Sequence, residues 1–490
     1  MIWIQLSIRR AKALAFGAVA LVTGCAGIEP RDNTPLSATP QLSARAPAAN
    51  AKLPPEHKRM IALFDGTYEF RPAEAYLNAI LARLAEAGGQ AGEPYKVTIL
   101  NSPAVNAFAL PPGNLYVTRG LLALANDASE VAAVMAHEIA HITARHALQR
   151  DEEEKRAAVI SQAASIVQGK EKSDQFTAQA QRTIASFSRN QELEADQIGI
   201  RVAAKAGYDP FGASRFLNSL GRSAALRSEL FGPSGAAGRP DILATHPSTP
   251  DRVAQAVSAA RQIGAPGIGR TGRESYLAAI EGMTFGDDPA EGTIHGREYL
   301  HVRLGFAFRA PEGFTLENAS QALLGINSGR GEALRLDSVS LPAPAPVASY
   351  IASGWIDGLE PSSVATLEID GMPAAVANAR AGEWQFRVAV IRFDPDRVFR
   401  LIFAAHDLTA GALGRFQASI ESFHRLSPEE ARAAPPLRIA ITAAKPGEYA
   451  ETLAARMSLQ NHPYDTFLLI NGLSRGEPLK NSERYKIVVE

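Results

Sequence analysis

Apolar residues recur every three or four positions through much of the first half of the chain, which is the spacing of one face of a helix. The run between Pro72 and Gly88 is one example, because proline suits a first helical turn and glycine ends a helix. Shorter β-type runs lie between the helical ones. The pattern predicts helices over about residues 72–88, 127–148, 153–188, 191–206 and 250–263, and strands over 96–100, 105–110 and 115–118. The first half is therefore expected to be mainly helical with a small sheet.

Beyond about residue 285 the pattern changes to short β-type runs. They predict an antiparallel α+β unit over residues 285–427, closed by a helix at about 410–423. Its strands are expected over 301–309, 333–341, 364–369, 374–379, 384–393 and 397–406. After the proline-containing stretch 427–436, the last segment, 437–490, reads as a strand, two helices and a final strand. The fold class expected for the whole chain is α+β multidomain.

The N-terminus has the layout of an export signal. Three basic residues between positions 9 and 12 precede a short apolar run, residues 13–22, and small residues then lead to Cys25. The apolar run is too short to span a bilayer as a helix. We therefore expect residues 1–24 to be removed as a signal peptide.

Cys25 is the single cysteine of the chain, which excludes an internal disulfide and a cysteine-based zinc site. Its position resembles the lipobox of bacterial lipoproteins, in which this cysteine becomes the acylated first residue. Ala26 after it is typical of outer-membrane lipoproteins by the same analogy. The alternative is an ordinary signal peptide with an incidental cysteine. We expect a lipid anchor at Cys25 and a flexible tether over residues 25–55, which are rich in small and polar residues.

Length and charge exclude some classes of function. The 490 residues suffice for three or four domains, and 50 Lys and Arg nearly balance 51 Asp and Glu. Such a balance provides no broad basic surface for nucleic acid. Outside the signal no run of eighteen apolar residues occurs, so we expect no membrane-spanning helix.

The predicted helix at 127–148 carries "AVMAHEIAHITARH", residues 133–146. His137 and His141 are four positions apart and share one helical face, so they can bind one metal ion, while Glu138 can reach a water molecule beside it. This is the H-E-x-x-H pattern of zinc metallopeptidases. A solvated surface helix is the alternative, but the neighbouring residues are apolar and bury the stretch. Buried imidazoles and carboxylates need partners, and a divalent cation supplies one.

A catalytic zinc site needs a third protein ligand. The stretch "SRNQELEADQIGI", residues 188–200, offers Glu192, Glu194 and Asp196 at the start of a predicted helix. Glu192 and Asp196 share a face, whereas Glu194 points elsewhere and is expected to be solvated.

Four segments together resemble the M48 family of metallopeptidases: "NAFALPPGNLYVTRGLL", "HEIAHITARH", "SRNQELEADQIG" and "THPSTPDR". The resemblance covers about residues 55–262, and it implies a mainly helical zincin-type metallopeptidase domain over residues 56–265 with a small edge-strand sheet. It implies one Zn²⁺ per chain, with Glu192 as the third ligand beside His137 and His141.

The family pattern also assigns roles around the metal. It implies that Asp196 orients a histidine ligand, and that His246 lies near the metal with a substrate, transition-state or regulatory role. A capping or packing histidine is the alternative for His246. Arg252 matches a family arginine whose role here is open. His146 also matches, but on a continuous helix it lies too far from the other histidines to join them and is expected to be structural.

Glu138 is expected to act as general base toward a metal-activated water and then to return the proton to the leaving amine. His246 and Arg252 are candidates for stabilising the oxyanion. In the family, extended substrate lies along an edge strand, which falls here on Asn106, Ala107, Phe108 and Ala109. Main-chain pairing tolerates many side chains, so unfolded proteins are expected substrates.

Residues 437–490 weakly resemble a LysM module, a βααβ fold that binds peptidoglycan, and a small docking or structural domain is an equal alternative. Residues 285–427 carry no chemistry that names a role. The sequence thus predicts a lipid-anchored zinc endopeptidase that faces the periplasm, in the outer membrane by the lipobox analogy, and clears misfolded or stalled envelope proteins. The alternatives are a metal-stabilised periplasmic chaperone and a peptidoglycan-binding scaffold without proteolysis.

Overall fold

The computed structural model describes residues 53–110, 113–149, 187–231, 242, 246, 249–319, 322–432, 435–459 and 461–490. The predicted signal peptide and nearly all of the tether lie outside them. The helix expected at 153–188 also lies outside them, except for residues 187 and 188. The described residues form two compact units. The helical unit comprises the described residues of 53–224, 240–286 and 437–490; the sheet unit comprises those of 225–231 and 287–436.

The elements of the first half follow the predicted order, with several additional helices. They are α1 (Pro55–Leu63), α2 (Arg71–Ala87), β1 (Lys96–Leu100), β2 (Ala107–Leu110), β3 (Asn114–Thr118), α3 (Arg119–Leu124), α4 (Ala128–Thr143), α5 (Arg189–Lys205), α6 (Gly212–Phe231), α7 (Pro250–Ile263) and α8 (Arg273–Ile280). Among the described residues no helix is both long and apolar enough to cross a bilayer.

The small sheet has the order β1-β3-β2, with β1 parallel and β2 antiparallel to β3. Its buried face joins the apolar sides of α2 and α4 in one core, which contains Leu81, Val117 and Met135. Strand β2 therefore lies at the edge of the sheet, next to α4.

Helix α4 is buried along almost its entire length, from Ala128 to His141. It begins at Asp127, whose side chain accepts a hydrogen bond from the backbone N–H of Glu130 at 2.9 Å. The expected continuation to about Leu148 is wrong: the helix ends at Thr143, because Arg145 adopts a positive φ of 58°. Regular helix cannot pass through that conformation.

Helix α5 packs closely against α4 and begins with a capping box formed by Ser188 and Gln191. Contact is closest at Gly199, where an added Cβ would lie 2.9 Å from the backbone N of His137 and 3.2 Å from the carbonyl carbon of Ala136. The glycine lets the two backbones approach, which brings the side chains of α5 to those of α4.

The sheet unit confirms the predicted antiparallel α+β class. Its strands are β4 (Thr293–His295), β5 (Glu298–His301), β6 (Phe306–Arg309), β7 (Thr315–Asn318), β8 (Leu323–Asn327), β9 (Glu332–Ser340), β10 (Ala365–Ile369), β11 (Met372–Ala381), β12 (Trp384–Asp394), β13 (Arg397–Ala405) and β14 (His424–Arg425). Its helices are α9 (Val347–Ile351), α10 (Ala410–Glu421) and α11 (Pro428–Arg432), with 3₁₀ turns at Pro289–Glu291 and Pro361–Ser363.

These strands form a seven-stranded sheet, β10-β11-β12-β13-β9-β8-β7, and a four-stranded sheet, β14-β6-β5-β4. The single strand expected at 301–309 is wrong. A turn divides it into β5 and β6, and Gly305 supplies the positive φ of 74° that this turn uses.

The last segment has the predicted βααβ order: β15 (Arg438–Ala443), α12 (Ala450–Ala454), α13 (Pro463–Ile470) and β16 (Arg484–Val489), with β15 and β16 antiparallel. The sequence predicts a separate module, whereas here the segment shares one unit with the first half. Ile439 exchanges backbone hydrogen bonds with Gly282 and Met283, at 2.8 and 2.9 Å, and belongs to the same core as Leu81.

Candidate metal centre

Four side chains from three parts of the helical unit converge on one point: His137 and His141 of α4, Glu192 of α5, and His246. All four are buried, and their ligand atoms lie within 4.8 Å of one another. The two histidines share a face of α4, and the close contact at Gly199 brings the first turns of α5 opposite that face. The structure thus brings together the three residues expected as ligands and adds His246 to them.

The distances between these donor atoms match those around one small cation. The Nε2 atoms of His137 and His141 are 3.0 Å apart, and Nδ1 of His246 lies 3.3 Å from His137 Nε2 and 2.8 Å from Glu192 Oε1. The same oxygen is 3.4 Å from His141 Nε2. Tetrahedral zinc with bonds of about 2.0–2.1 Å separates its ligands by roughly 3.3 Å. The four separations, 2.8–3.4 Å, lie near this value, so three imidazole nitrogens and one carboxylate oxygen are close enough to bind one zinc ion.

The protonation states of two of these donors, His141 and Glu192, also suit a metal. Burial lowers the pKa of His141 to about 3, outweighing the hydrogen bond to Glu192 that raises it. Burial alone would raise the pKa of Glu192, but its hydrogen bonds with His141 and His246 lower it overall. Near neutral pH the cluster therefore offers a neutral imidazole and a charged carboxylate, which are the forms that bind zinc.

Glu138 lies directly beside the donors. Its carboxyl group is buried, and Oε1 is 3.8 Å from Nε2 of His246, without a hydrogen-bond partner among the described residues. Burial raises the pKa of Glu138, more than the nearby His246 and His137 lower it. A buried carboxylate with an unused oxygen and a raised pKa is suited to accept a proton.

Asp196 and Arg252 contact the donor residues through atoms that do not face the centre of the cluster. Oδ1 of Asp196 lies 2.9 Å from Nδ1 of His137, so the carboxylate holds the imidazole with Nε2 turned toward the other donors. Arg252 binds Asp196 through two N–H groups, at 2.8 and 2.7 Å, and lies 2.6 Å from Oε2 of Glu192. Its buried guanidinium is thus directed at two carboxylates, an arrangement that favours positioning over contact with an oxyanion.

His146 contacts the centre as well, which reasoning from a continuous helix missed. Because the chain turns at Arg145, His146 folds back until its Nδ1 is 2.9 Å from Nδ1 of His141. Its Nε2 lies 3.5 Å from Oε2 of Glu194, a side chain that is 59% exposed, as expected for a solvated residue. His146 is therefore an outer partner of a histidine donor, as Asp196 is for His137.

The strand expected to hold substrate is β2, at the edge of the sheet. Asn106 precedes it and is bonded to β3, since its backbone N–H donates to Thr118 Oγ1 at 2.9 Å. Ala107, Phe108 and Ala109 pair with β3, and no other strand of the described residues pairs with their opposite side. Cys25, the expected lipidation site, lies outside the described residues.

Comparison with known proteins agrees with this geometry. The family model for Peptidase family M48 matches residues 72–260. The beta-barrel assembly-enhancing protease of Escherichia coli K12 is 30% identical over 272 residues, covering 51% of this chain and 53% of that protein. The mitochondrial metalloendopeptidase OMA1 of Arabidopsis thaliana is 33% identical over 195 residues, covering 38% of this chain and 37% of that protein. The chain thus spans about half the length of the first relative and less of the second.

Among solved structures, cyanobacterial PsbP (CyanoP) from Synechocystis sp. PCC 6803 aligns with 27% of this chain and 98% of its own, at 15% identity. The TM-score is 0.22, which is too low to indicate a common fold.

Proposed function

We propose that the chain is a zinc-dependent endopeptidase of peptidase family M48, whose family model matches residues 72–260. The observation that carries the proposal is the convergence of His137, His141 and Glu192 on one point, with Glu138 beside them. A site that only stabilised the fold would need the three donors but no base next to them.

His137, His141 and Glu192 would hold the zinc ion, which when bound supplies a Lewis acid that polarises a peptide carbonyl and activates water. Glu138 accepts the proton of the attacking water and delivers it to the leaving amine. Asp196 keeps the imidazole of His137 oriented, and Arg252 keeps the carboxylates of Asp196 and Glu192 in place.

His246 takes the fourth position of the donor cluster. A catalytic zinc site keeps this position open, so we propose that the arrangement is latent and that His246 must withdraw before water and substrate enter. After withdrawal the imidazole is a candidate hydrogen-bond donor to the oxyanion, because it already lies near Glu138.

We propose that extended segments of unfolded proteins bind along β2, over Asn106–Ala109, as an added strand. Two observations support this: among the described residues no strand pairs with the outer edge of β2, and β2 lies next to α4. The name of the Escherichia coli relative, a beta-barrel assembly-enhancing protease, supports a role in quality control of misfolded or stalled envelope proteins.

The proposed location is the periplasmic side of the outer membrane, with a lipid anchor at Cys25. Changing Cys25→Ser should move the protein from the membrane to the soluble fraction. Unchanged partitioning would mean that Cys25 is incidental. Peptidoglycan is a further proposed partner, through residues 437–490, and pull-down of the full chain with purified sacculi tests it.

The decisive experiment measures casein cleavage and zinc content in the same sample of residues 26–490. We expect one zinc per chain and cleavage that falls by roughly 10²–10⁴-fold in Glu138→Gln, whose zinc content stays unchanged. Glu86→Gln, which makes the same change at an exposed carboxylate of α2, is the matched control and should cleave normally.

Zinc binding without cleavage would direct the test to His246→Ala, which should release activity if the site is latent. Failure of that variant as well would favour the alternative function, a metal-stabilised chaperone or scaffold. Wild-type activity in Glu138→Gln would contradict the assigned base.

A further inference from the structure

An apolar cavity opens directly beside the base and the metal donors. Its polar end is lined by His137, Glu138 and His246, together with Asp196 and Arg252. The remaining wall is entirely apolar and comes from α4, from α6 and from one residue near His246. These wall residues are Ala133, Val134, Ala213, Phe216, Leu217, Leu220 and Ile242.

The cavity is part of the site and not a sealed packing defect. Its empty volume, including the opening, is about 410 Å³. Ala213, in the first turn of α6, is only partly buried, whereas Phe216 and Leu220 behind it are each 3% exposed. The wall thus runs from solvent at the site inward to a closed apolar end.

One wall residue of the cavity is also hydrogen-bonded to the segment that leads into the strand proposed to hold substrate. The backbone N–H of Ile242 donates to the carbonyl of Val105 at 3.1 Å, immediately before Asn106 and β2. An extended chain lying along β2 and crossing Glu138 therefore passes the mouth of the cavity. A side chain next to the scissile bond would point into it.

We propose that this cavity is the specificity pocket of the peptidase and accepts the side chain of one residue flanking the scissile bond, with a preference for leucine, isoleucine, methionine and phenylalanine. The inference rests on the proposed function. An apolar wall stabilises an apolar side chain by removing it from water, whereas a charged side chain would lose its hydration and find no partner there.

The pocket gives a physical basis for choosing unfolded substrates. Folded proteins bury most of their large apolar side chains and pair most of their strands. A site that requires both a free extended backbone and an exposed large apolar residue is therefore met mainly by unfolded chains.

The test sequences the cleavage sites of denatured casein and of a randomised peptide library with the zinc-loaded full chain, in the wild type and in His246→Ala. We expect large apolar residues to be enriched at one of the two positions flanking the cut. Ala213→Leu places a larger side chain in the mouth and should lower kcat/KM for a phenylalanine substrate relative to an alanine substrate by at least tenfold.

Ala225→Leu is the matched control, because it makes the same change at an exposed position of the same helix and should leave the preference unchanged. Val134→Ala, which widens the pocket, should shift the preference toward larger residues and serves as the test if Ala213→Leu does not retain zinc.

Cleavage with no preference at either flanking position, or an unchanged preference in the pocket variants, would overturn the pocket while leaving the peptidase intact. Absence of any cleavage by both the wild type and His246→Ala would overturn the proposed function itself.

Discussion

Each histidine donor on α4 has one ring nitrogen turned toward the cluster and the other held from behind. A metal-binding Nε2 carries no proton, so Nδ1 of His141 carries the ring proton and donates a hydrogen bond to Nδ1 of His146, 2.9 Å away. His146 then carries its own proton on Nε2, on the side of Glu194. This sequence of hydrogen bonds gives His146 a defined task, which is to hold His141 in the metal-binding tautomer and orientation.

We therefore expect His146→Leu, which keeps most of the volume but removes the acceptor, to weaken zinc binding about 10–100-fold. His146→Gln retains an acceptor and should recover much of the affinity. Competition with a chromogenic chelator measures the dissociation constants. Zinc affinity equal to the wild type in His146→Leu would mean that the contact serves packing alone.

At the residue scale, the sequence could identify the donors whose geometry is local. His137 and His141 are one helical turn apart, as are Glu192 and Asp196, so their shared faces follow from the periodicity. The contact of His146 could not be predicted in this way, because it depends on the positive φ of Arg145, which apolar spacing does not report.

At the element scale, the site depends on how closely α4 and α5 approach. An added methyl group at Gly199 would lie 2.9 Å from the backbone N of His137. We expect Gly199→Ala to push the helices apart, to lower stability by about 1–3 kcal/mol and to weaken zinc binding, despite the better helix propensity of alanine.

Gly414→Ala is the control for this change. Gly414 lies inside α10, and no atom would contact an added Cβ within 4 Å. There the propensity gain should appear alone, as about 0.5–1 kcal/mol of added stability with zinc affinity unchanged. Thermal denaturation and zinc titration of both variants decide the matter, and equal effects of the two substitutions would contradict the role assigned to Gly199.

Most predicted elements are present within a few residues of their expected limits, because amphipathic spacing and glycine or proline at the ends are local signals. Helix α6 was not anticipated, although Phe216, Leu217 and Leu220 recur at helical spacing, since small and polar residues separate them. The pocket wall that α6 provides therefore emerged only from the structure.

At the scale of the whole molecule, the end of the chain is joined to the start of the metal-binding helix. Lys486 is fully buried, and its Nζ donates to the carbonyls of Ala123 and Ala125 at 2.7 and 2.6 Å, just before α4. Burial lowers the pKa of Lys486 to about 7, helped by the charge of Arg273 and opposed by Glu130.

We expect Lys486→Met to lower the free energy of unfolding by about 2–5 kcal/mol, because two carbonyls lose their donor and Glu130 loses a nearby cation. Lys480→Met, at a side chain that is 78% exposed, should change it by less than about 0.5 kcal/mol. Chemical denaturation measures both. A loss no larger in Lys486→Met than in Lys480→Met would argue against a structural role for the buried amine.

The sequence could predict the βααβ order of residues 437–490 but not where the segment packs. Its strands and helices are local patterns, whereas the bonds from Lys486 to Ala123 and Ala125 join positions more than 300 residues apart. Such long-range pairings leave no trace in the apolar spacing along the chain.

The placement of this segment makes residues 287–436 an insertion within the helical unit. The backbone N–H of Phe285 donates to the carbonyl of Leu437 at 2.8 Å, so the chain leaves and re-enters the helical unit at neighbouring points.

Replacing 287–436 by a short glycine-serine linker should therefore preserve zinc at one per chain and cleavage of casein. A chain that stops at Pro436 should lose both, since Ile439 and Lys486 are removed from the core that supports α4. Zinc analysis and casein cleavage of the two proteins give opposite results if 437–490 completes the peptidase domain. The reverse pattern, with the truncated chain active and the excised one inactive, would establish residues 437–490 as a separate module.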